Sequence, residues 1–271
     1  MIKQAIIPLA GLGTRLLPLS SVLPKELLPI NGKPGLEYII DECVRSGIKE
    51  IIFIISKRKI NIKKYFYNDV FYKNLIKKKK GDKRLKSEYL KIKKYKKMIK
   101  FVYQNSPRGT GDAVLKCKNL IKSKYFLMLM PDDLIIKKNC SLSLIELHKK
   151  YNSSIIASKK VNKKDVSRWG IFGFDKINKR DFLIKDVIEK PSIRSAPSNY
   201  AVIGRYILPK KIFNVLRNQK PGNNGEIHIT DAIRTLIKRK NKFIGHVFAG
   251  KYLDCGTMKG YINSSLYISR L

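Results

Sequence analysis

Residues 4–15 read QAIIPLAGLGTR, an apolar run that ends in a glycine-rich turn and an arginine. A second apolar run, at 50–56, reads EIIFIIS. Between the two runs, Pro34 precedes apolar residues spaced three and four apart, and this helical pattern ends at Gly47. A buried strand, a helix and a second buried strand form a β-α-β unit, whose two strands are parallel. The stretch therefore predicts an α/β fold with a site where its strands end.

The same alternation continues along the chain. It predicts further strands at 100–104, 125–130 and 154–158, and helices at 111–120, 142–151, 229–240 and 259–268. Strand patterns at 171–174, 183–189 and 200–208 follow one another with short turns, which indicates antiparallel pairing. We expect a doubly wound, mostly parallel, Rossmann-like sheet with an additional antiparallel layer, all in one domain.

The charge of the chain is extreme, at +38 from 58 basic and 20 acidic residues. Such a balance suggests a nucleic-acid binder, but 45 of the basic residues are lysines and only 13 are arginines. Arginine is the residue of bidentate phosphate and base recognition, whereas lysine is a point charge. Lysine is abundant here together with isoleucine and asparagine, which fits compositional drift at tolerant surface positions. We therefore expect no specific nucleic-acid partner.

One segment, residues 57–100, carries 17 lysines and two arginines against three carboxylates. Its apolar residues recur at helical spacing, which indicates a solvated helical hairpin that crosses between two strands. The alternative is an electrostatic patch for RNA or an acidic partner. An electrostatic patch predicts tight RNA binding that weakens steeply as the salt concentration rises. Binding that saturates only at about millimolar RNA in moderate salt would contradict the patch hypothesis.

Other classes of protein are disfavoured by what the chain lacks. No run of about 18 apolar residues occurs, so no membrane span and no membrane partner are expected. The cysteines have neither metal-ligand nor redox spacing, which predicts buried, reduced thiols in a cytoplasmic protein; they are Cys43, Cys117, Cys140 and Cys255. The three histidines are equally scattered, so a zinc site is not expected.

The glycine turn after the first strand is the first candidate site. Gly11 and Gly13 allow a tight turn whose amides can cradle a phosphate. A dinucleotide-binding fingerprint would need glycine where Leu16 stands, and no P-loop motif occurs in the chain. Arg15 and Lys25 follow the turn, and two fixed cations beyond a glycine loop suit a polyphosphate. A plain strand-helix turn is the alternative.

Acidic residues at strand ends form the second candidate site. Asp132 and Asp133 follow a strongly apolar strand, where carboxylates can hold Mg²⁺ together with water and substrate phosphates. Asp254 follows another strand-like stretch and is a candidate second ligand. Further along, Glu189 and Lys190 stand side by side at a strand end and are expected to point to opposite faces. The carboxylate suits sugar hydroxyls and the ammonium suits a phosphate.

The stretch at 9–29, LAGLGTRLLPLSSVLPKELLP, resembles the signature of the sugar-1-phosphate nucleotidyltransferase family. Further matches occur in order along nearly the whole chain: Gln104 with GTGDAV at 109–114, MPDD at 130–133, Trp169-Gly170, EKP at 189–191, APSN at 196–199, IGRY at 203–206, GEIHITDAI at 225–233 and DCG at 254–256. The motifs at 196–199 and 225–233 favour the glucose uridylyltransferase branch over the thymidylyltransferase branch. Ser20-Ser21 departs from the family, which usually has threonine and a basic residue there.

The resemblance implies that the chain joins UTP and α-D-glucose 1-phosphate into UDP-glucose and pyrophosphate with the help of Mg²⁺. It implies one domain over 1–271, in which 1–135 mainly binds the nucleotide and 136–271 mainly binds the sugar phosphate. It also implies a homo-oligomer, a dimer or a tetramer. Another nucleotidyltransferase and, more remotely, a basic RNA-binding protein are the alternative functions.

Carried over by position, the implied site residues fall into four groups: Ala10, Gly11, Gly13, Gln104 and Gly109 for the nucleotide; Arg15, Lys25 and Lys190 as catalytic cations; Gly170, Glu189 and Asn199 for the sugar; and Asp132 and Asp254 for the metal.

Overall fold

The computed structural model describes residues 2–222 and 225–271. Its strands are β1 (Gln4–Pro8), β2 (Pro29–Ile30), β3 (Lys33–Pro34), β4 (Glu50–Ile55), β5 (Ile99–Tyr103), β6 (Tyr125–Leu129), β7 (Asp133–Ile136), β8 (Ser154–Lys160), β9 (Gly170–Lys176), β10 (Asp181–Glu189), β11 (Tyr200–Pro209), β12 (Phe243–Val247) and β13 (Lys251–Asp254). Its helices are α1 (Gly35–Arg45), α2 (Ile60–Tyr67), α3 (Asp69–Lys78), α4 (Lys83–Met98), α5 (Thr110–Leu115), α6 (Cys140–Tyr151), α7 (Ile212–Arg217), α8 (Ile229–Lys238) and α9 (Met258–Ser269).

The central sheet joins nine of these strands in the order β5-β4-β1-β6-β11-β8-β12-β10-β9. The strands β5, β4, β1 and β6 are parallel, as the β-α-β pattern predicts. Strand β11 runs antiparallel to both of its neighbours, β6 and β8, and β10 runs antiparallel to β12 and β9. The mixed α/β fold class is therefore confirmed.

The expected additional antiparallel layer is wrong, because β9, β10 and β11 belong to the same sheet as the parallel strands. The reason lies in β11, whose residues 201–209 are all buried. A strand that is buried on both faces needs hydrogen-bonding neighbours and covering side chains on every side. It therefore lies in the middle of the sheet, between β6 and β8.

Helices cover both faces of the sheet and make two cores. Along β1, alternate side chains enter different cores, with Ala5 and Ile7 on one face and Ile6 on the other. The first core packs residues of α1, α4, α6 and α9, and the second packs residues of α5, α7 and α8. Among the described residues, no helix has both the length and the apolar character needed to cross a membrane.

The basic segment is helical, as expected, but it forms the three helices α2, α3 and α4 and not a hairpin of two. Apolar residues on α2 and α4, such as Phe66 and Tyr95, are buried in the first core. The side chain of Asp82 caps α4 by accepting a hydrogen bond from the amide of Leu85 at 2.9 Å. The segment between β4 and β5 is therefore an integral part of the fold.

Three of the four cysteines are buried, as predicted, while Cys255 is half-buried because it begins the turn after β13. Burial raises the pKa of Cys117 to about 12. Burial also raises the pKa of Cys255 to about 12, helped by the neighbouring carboxylates. Both residues are therefore protonated thiols at neutral pH.

A buried ion pair joins β11 to helix α1. Arg205 is fully buried, and its Nε and Nη2 donate to the two carboxylate oxygens of Glu42 at 2.9 and 2.8 Å. The same guanidinium donates from Nη2 to the carbonyl of Asp133 at 2.7 Å and from Nη1 to the carbonyl of Met130 at 3.3 Å. The amide of Ser141 donates to Glu42 as well. The pair thus fixes the backbone at the end of β6 against a helix on one face of the sheet.

Replacement of this arginine is expected to destabilise the protein strongly. Arg205→Met leaves the Glu42 carboxylate buried without its partner, which costs about 3–5 kcal/mol. The exposed pair of Lys185 with Asp175, at 2.9 Å, provides a control. Lys185→Met should cost about 1 kcal/mol or less. Urea unfolding measures both, and equal losses for the two variants would contradict the structural role of Arg205.

Candidate active site

The glycine turn after β1 forms one wall of a cleft of about 390 Å³, which Ala10, Gly11 and Gly13 line. Gly13 has a φ of 72°, a left-handed conformation that favours glycine. The hydroxyl of Ser20 donates to the carbonyl of Gly13 at 2.8 Å. The serine that departs from the family pattern therefore still orders the loop.

The same cleft, named the nucleotide cleft after its predicted ligand, is also lined by Gln104 and Gly109. Gln104 is buried, and its amide nitrogen donates to the carboxylate of Asp112 at 2.7 Å. Because an ionised carboxylate only accepts hydrogen bonds, this contact fixes the orientation of the amide and leaves its oxygen as an acceptor. Gly109 has a φ of 98°, and a β-carbon there would lie 2.6 Å from the carbonyl oxygen of Ile227. Only glycine fits this position.

Two cations face one carboxylate at the mouth of the cleft. The Lys25 ammonium lies 2.6 Å from Oδ2 of Asp132, and the largely exposed Arg15 guanidinium lies 3.5 Å from the same atom. Burial lowers the pKa of Lys25, but the charges of Asp132 and Glu26 and the hydrogen bond to Asp132 together outweigh burial, so that the pKa is raised. Burial of Asp132 opposes its ionisation, yet Lys25 and then Arg15 hold its pKa below the usual value. Lys25 and Asp132 are therefore both charged at neutral pH.

The structure brings together the two predicted metal ligands. Strands β7 and β13 pair so that Asp133 lies opposite Asp254, and the amide of Cys255 donates to the carbonyl of Asp132 at 2.8 Å. A β-carbon on Gly256 would lie 2.8 Å from Oδ2 of Asp132 and 3.2 Å from Oδ1 of Asp254. The position that a side chain of residue 256 would occupy therefore lies between a carboxylate oxygen of Asp132 and one of Asp254.

This donor set fits Mg²⁺, which usually takes one or two carboxylates from the protein and the rest of its oxygen ligands from water and substrate phosphates. Within residues 2–222 and 225–271, no cluster of three or more histidine, cysteine, aspartate or glutamate residues forms a closed metal site. The two carboxylates of Asp132 and Asp254 are thus a partial shell that phosphate oxygens can complete.

The adjacent aspartate, Asp133, has a different environment. Its carboxylate accepts from the Tyr252 hydroxyl at 2.7 Å and from the Gly204 amide at 2.9 Å. Burial and then the negative charge of Asp132 raise its pKa to about 6. Asp132 therefore presents its charge to the cations, while Asp133 ties the end of β6 to β11 and β13.

A second, smaller pocket of about 230 Å³ contains the predicted sugar-binding residues Gly170 and Glu189. The Thr230 hydroxyl donates to Oε2 of Glu189 at 2.8 Å, and a β-carbon on Gly170 would lie 3.2 Å from the same oxygen. Thr230 lies in the motif at 225–233 and was not predicted as a site residue. Glycine at position 170 thus leaves room for a ligand beside the carboxylate.

The expectation that Glu189 and Lys190 point to opposite faces is wrong, because both line this sugar pocket. Strand β10 ends at Glu189, and Lys190 has a φ of 45°. The left-handed backbone at Lys190 ends the alternation of side chains between the two faces of the strand. The carboxylate of Glu189 and the exposed Lys190 therefore line one pocket. The sugar pocket also shares Thr110 and Met130 with the nucleotide cleft.

Asn199 lies outside the sugar pocket, in an adjoining cleft of about 650 Å³ that also contains Asp254. Its amide nitrogen donates to the carbonyl of Val161 at 2.9 Å. Arg168 lines both this cleft and the sugar pocket, and its guanidinium lies 3.5 Å from Asp254. Sequence reasoning missed Arg168, although it directly precedes the Trp169-Gly170 motif that locates the sugar pocket.

Comparison with known proteins places this geometry in context. Residues 4–270 match the family model described as nucleotidyl transferase. The chain is 38% identical over 270 residues to the UTP–glucose-1-phosphate uridylyltransferase of Bacillus subtilis, which covers 98% of this chain and 90% of that protein. It is 35% identical over 271 residues to the enzyme of the same name from Mycoplasma pneumoniae, with 98% and 92% coverage. A crystal structure of UDP-glucose pyrophosphorylase complexed with UDP-glucose superimposes with a TM-score of 0.87, at 36% identity and with 100% and 99% coverage.

The space above Gly256 provides a test of the carboxylate arrangement. In Gly256→Ala the new methyl group would lie 2.8 Å from both Arg15 Nη2 and Asp132 Oδ2, so these groups must move. We expect the rate of UDP-glucose formation to fall about tenfold to a hundredfold, because small misplacements of charged groups are costly in such sites. Thermal unfolding should change little, since the displaced atoms are the ends of side chains.

Gly173→Ala is the matched control, because a β-carbon there meets its nearest neighbour, Pro197 Cβ, at an ordinary 3.4 Å. Equal rates in the two variants would show that the groups around Gly256 take no part in the reaction.

Proposed function

The chain belongs to the nucleotidyl transferase family, and we propose that its reaction is the formation of UDP-glucose and pyrophosphate from UTP and α-D-glucose 1-phosphate. One observation carries the proposal: the nucleotide cleft and the sugar pocket adjoin each other, and the segment at 130–133 contributes to both. A nucleotide in the first and a sugar phosphate in the second would bring their phosphates together at this segment.

In the nucleotide cleft, the turn at Ala10 and Gly11 packs against the base, and the amide oxygen of Gln104 accepts the N3–H of uracil. Cytosine has no hydrogen on N3, so the orientation that Asp112 imposes on Gln104 favours uracil over cytosine. Gly109 allows the close approach of the base, and Gly13 shapes the turn below the phosphates. Both thymine and uracil carry the N3–H, so this contact alone does not separate the two.

In the sugar pocket, Glu189 accepts hydrogen bonds from hydroxyl groups of glucose, and Gly170 leaves them room. The exposed Lys190 binds the phosphate of glucose 1-phosphate. Asn199 lines only the adjoining cleft, and its amide nitrogen already donates to the carbonyl of Val161. We therefore give it a smaller role in sugar binding than the resemblance implies.

The reaction is an in-line displacement at the α-phosphorus of UTP. A phosphate oxygen of glucose 1-phosphate forms the new bond to phosphorus, the bond from the α-phosphorus to the bridging oxygen breaks, and pyrophosphate leaves with that electron pair. The attacking phosphate is ionised at neutral pH, so the protein needs no general base. Two anions must approach each other, and Arg15, Lys25 and Lys190 offset their repulsion.

Asp132 and Asp254 are the residues that would hold Mg²⁺. A bound Mg²⁺ supplies positive charge at the phosphates and a template for their alignment. The Lys25 ammonium lies 2.6 Å from Asp132, so it would pair with the phosphates instead if Asp132 held the metal.

The remaining expectations stay proposals. They are the doubly wound, Rossmann-like character of the core, one domain with its nucleotide half at 1–135 and its sugar-phosphate half at 136–271, a homo-oligomeric state and a cytoplasmic location. The RNA-binding alternative is disfavoured by the structure of the basic segment. Several of its lysines form ion pairs within the protein, among them Lys59 with Glu26, Lys91 with Glu37 and Lys96 with Asp69.

A transferase assay tests the site assignment. Lys190→Ala and Asp132→Asn should each lower the turnover at least about a hundredfold while leaving the fold intact, because the first removes a cation that faces the phosphates and the second removes a carboxylate that would hold Mg²⁺. Lys185→Ala removes an exposed lysine from the same strand region and should keep the turnover of the unaltered protein. Near-normal rates in both site variants would overturn the assignment.

A panel of nucleoside triphosphates, with pyrophosphate release as the signal, tests the substrate. UTP should exceed CTP by at least about a hundredfold in kcat/KM, because CTP leaves the Gln104 oxygen unpaired. Asp112→Asn allows the Gln104 amide to flip its oxygen and nitrogen, and should therefore narrow the ratio of kcat/KM for UTP to that for CTP. Preference for dTTP over UTP would instead establish the thymidylyltransferase alternative.

A further inference from the structure

One lysine of the basic segment is buried beside the nucleotide cleft. Lys59 ends the short turn that follows β4, and only 7% of its surface is exposed. Its ammonium donates to both carboxylate oxygens of Glu26, at 2.7 and 2.8 Å. Glu26 is itself 4% exposed and lines the nucleotide cleft. The segment at 57–100, whose charges were expected to be solvated, thus contributes one buried cation next to the site.

This pair continues a row of alternating charges. Glu26 follows Lys25 directly in the sequence, and its negative charge helps to raise the pKa of Lys25. Burial lowers the pKa of Lys59, and the charge of Glu26 opposes this effect. The positive charge of Lys25 lowers the pKa of Lys59 further, whereas the negative charge of Asp132 raises it. The row therefore runs Lys59, Glu26, Lys25, Asp132 and Arg15, with three cations and two carboxylates.

The proposed reaction needs Lys25 to leave Asp132 for the triphosphate. Glu26 is the other carboxylate near Lys25, and an unpaired buried carboxylate would attract this ammonium strongly. The bidentate contact with Lys59 satisfies both carboxylate oxygens of Glu26. It also keeps the row at a net positive charge, which favours a highly charged anion in the cleft.

We propose that Lys59 is a positioning residue for the nucleotide, which holds Glu26 so that Lys25 remains available to the triphosphate. Lys59 does not touch the reacting atoms; it acts through Glu26 on Lys25. The inference rests on the proposed function, because it assigns the phosphates of the nucleotide to Lys25.

Steady-state kinetics of Lys59→Met test the inference. The variant keeps the length of the side chain but leaves Glu26 as a competitor of the phosphates for Lys25. We expect KM for UTP to rise at least about tenfold, whereas KM for glucose 1-phosphate should change less than about twofold. A merely structural role would reduce the amount of folded enzyme, which lowers the maximal rate and leaves both KM values unchanged.

Two further variants sharpen the comparison. Lys59→Met combined with Glu26→Gln removes both charges, so no carboxylate competes for Lys25, and KM for UTP should fall back towards that of the unaltered protein. Lys96→Met removes one positive charge from the same segment, where Lys96 pairs with Asp69 at the surface. It should leave KM for UTP unchanged. If Lys59→Met does not fold, Lys59→Gln replaces it, since its amide still donates to Glu26 without a charge.

The inference is wrong if Lys59→Met raises KM for UTP no more than Lys96→Met does, or if the double variant is as impaired as the single one. These outcomes leave the proposed function intact, because the unaltered protein is assayed in parallel. Absence of UDP-glucose formation by the unaltered protein would overturn the proposed function, and calorimetric titration of UTP into the same variants would then decide whether Lys59 acts on nucleotide binding.

Discussion

The buried contact between Arg205 and Glu42 is the interaction on which the geometry of the site depends. A guanidinium that is fully removed from water must satisfy all of its donors, and here it reaches a carboxylate on α1 together with the carbonyls of Met130 and Asp133. These carbonyls flank Asp132. The position of that carboxylate is therefore set by a rigid hydrogen-bonded cluster in the interior and not by the flexibility of a surface loop.

The charges around the cleft follow from the same constraint. Asp132 is held where water is scarce, so its ionised form depends on Lys25 and Arg15, and Lys25 in turn lies beside Glu26, which depends on Lys59. Each buried charge is compensated by its neighbour. In the proposed reaction, phosphate oxygens would replace Asp132 as the partner of Lys25, and Mg²⁺ would then compensate the charge of Asp132.

Sequence reasoning located most of these parts but misjudged three of their relations. The strands β9, β10 and β11 pair antiparallel as expected, but they were expected to be a layer added to the parallel sheet and instead belong to it, because an alternating pattern does not show which strands become neighbours. Glu189 and Lys190 were expected to diverge, because period-two alternation holds only while the strand continues, and the left-handed backbone at Lys190 ends it. The charge of residues 57–100 was interpreted as a solvated face, which overlooks Lys59 because its partner lies in a distant part of the chain.

The sequence by itself determined the strand and helix pattern, the glycine turn, and the candidate residues for binding phosphate, sugar and metal. Such features depend on spacing over a few residues, where backbone geometry and the chemistry of each side chain act locally. Only the tertiary structure decided which of these residues meet. The partners Glu42 and Arg205 are separated by 163 positions, and Asp132 approaches Asp254 only because β7 pairs with β13. No local pattern encodes such contacts, because they arise when packing of the two cores and pairing of buried charges are satisfied together.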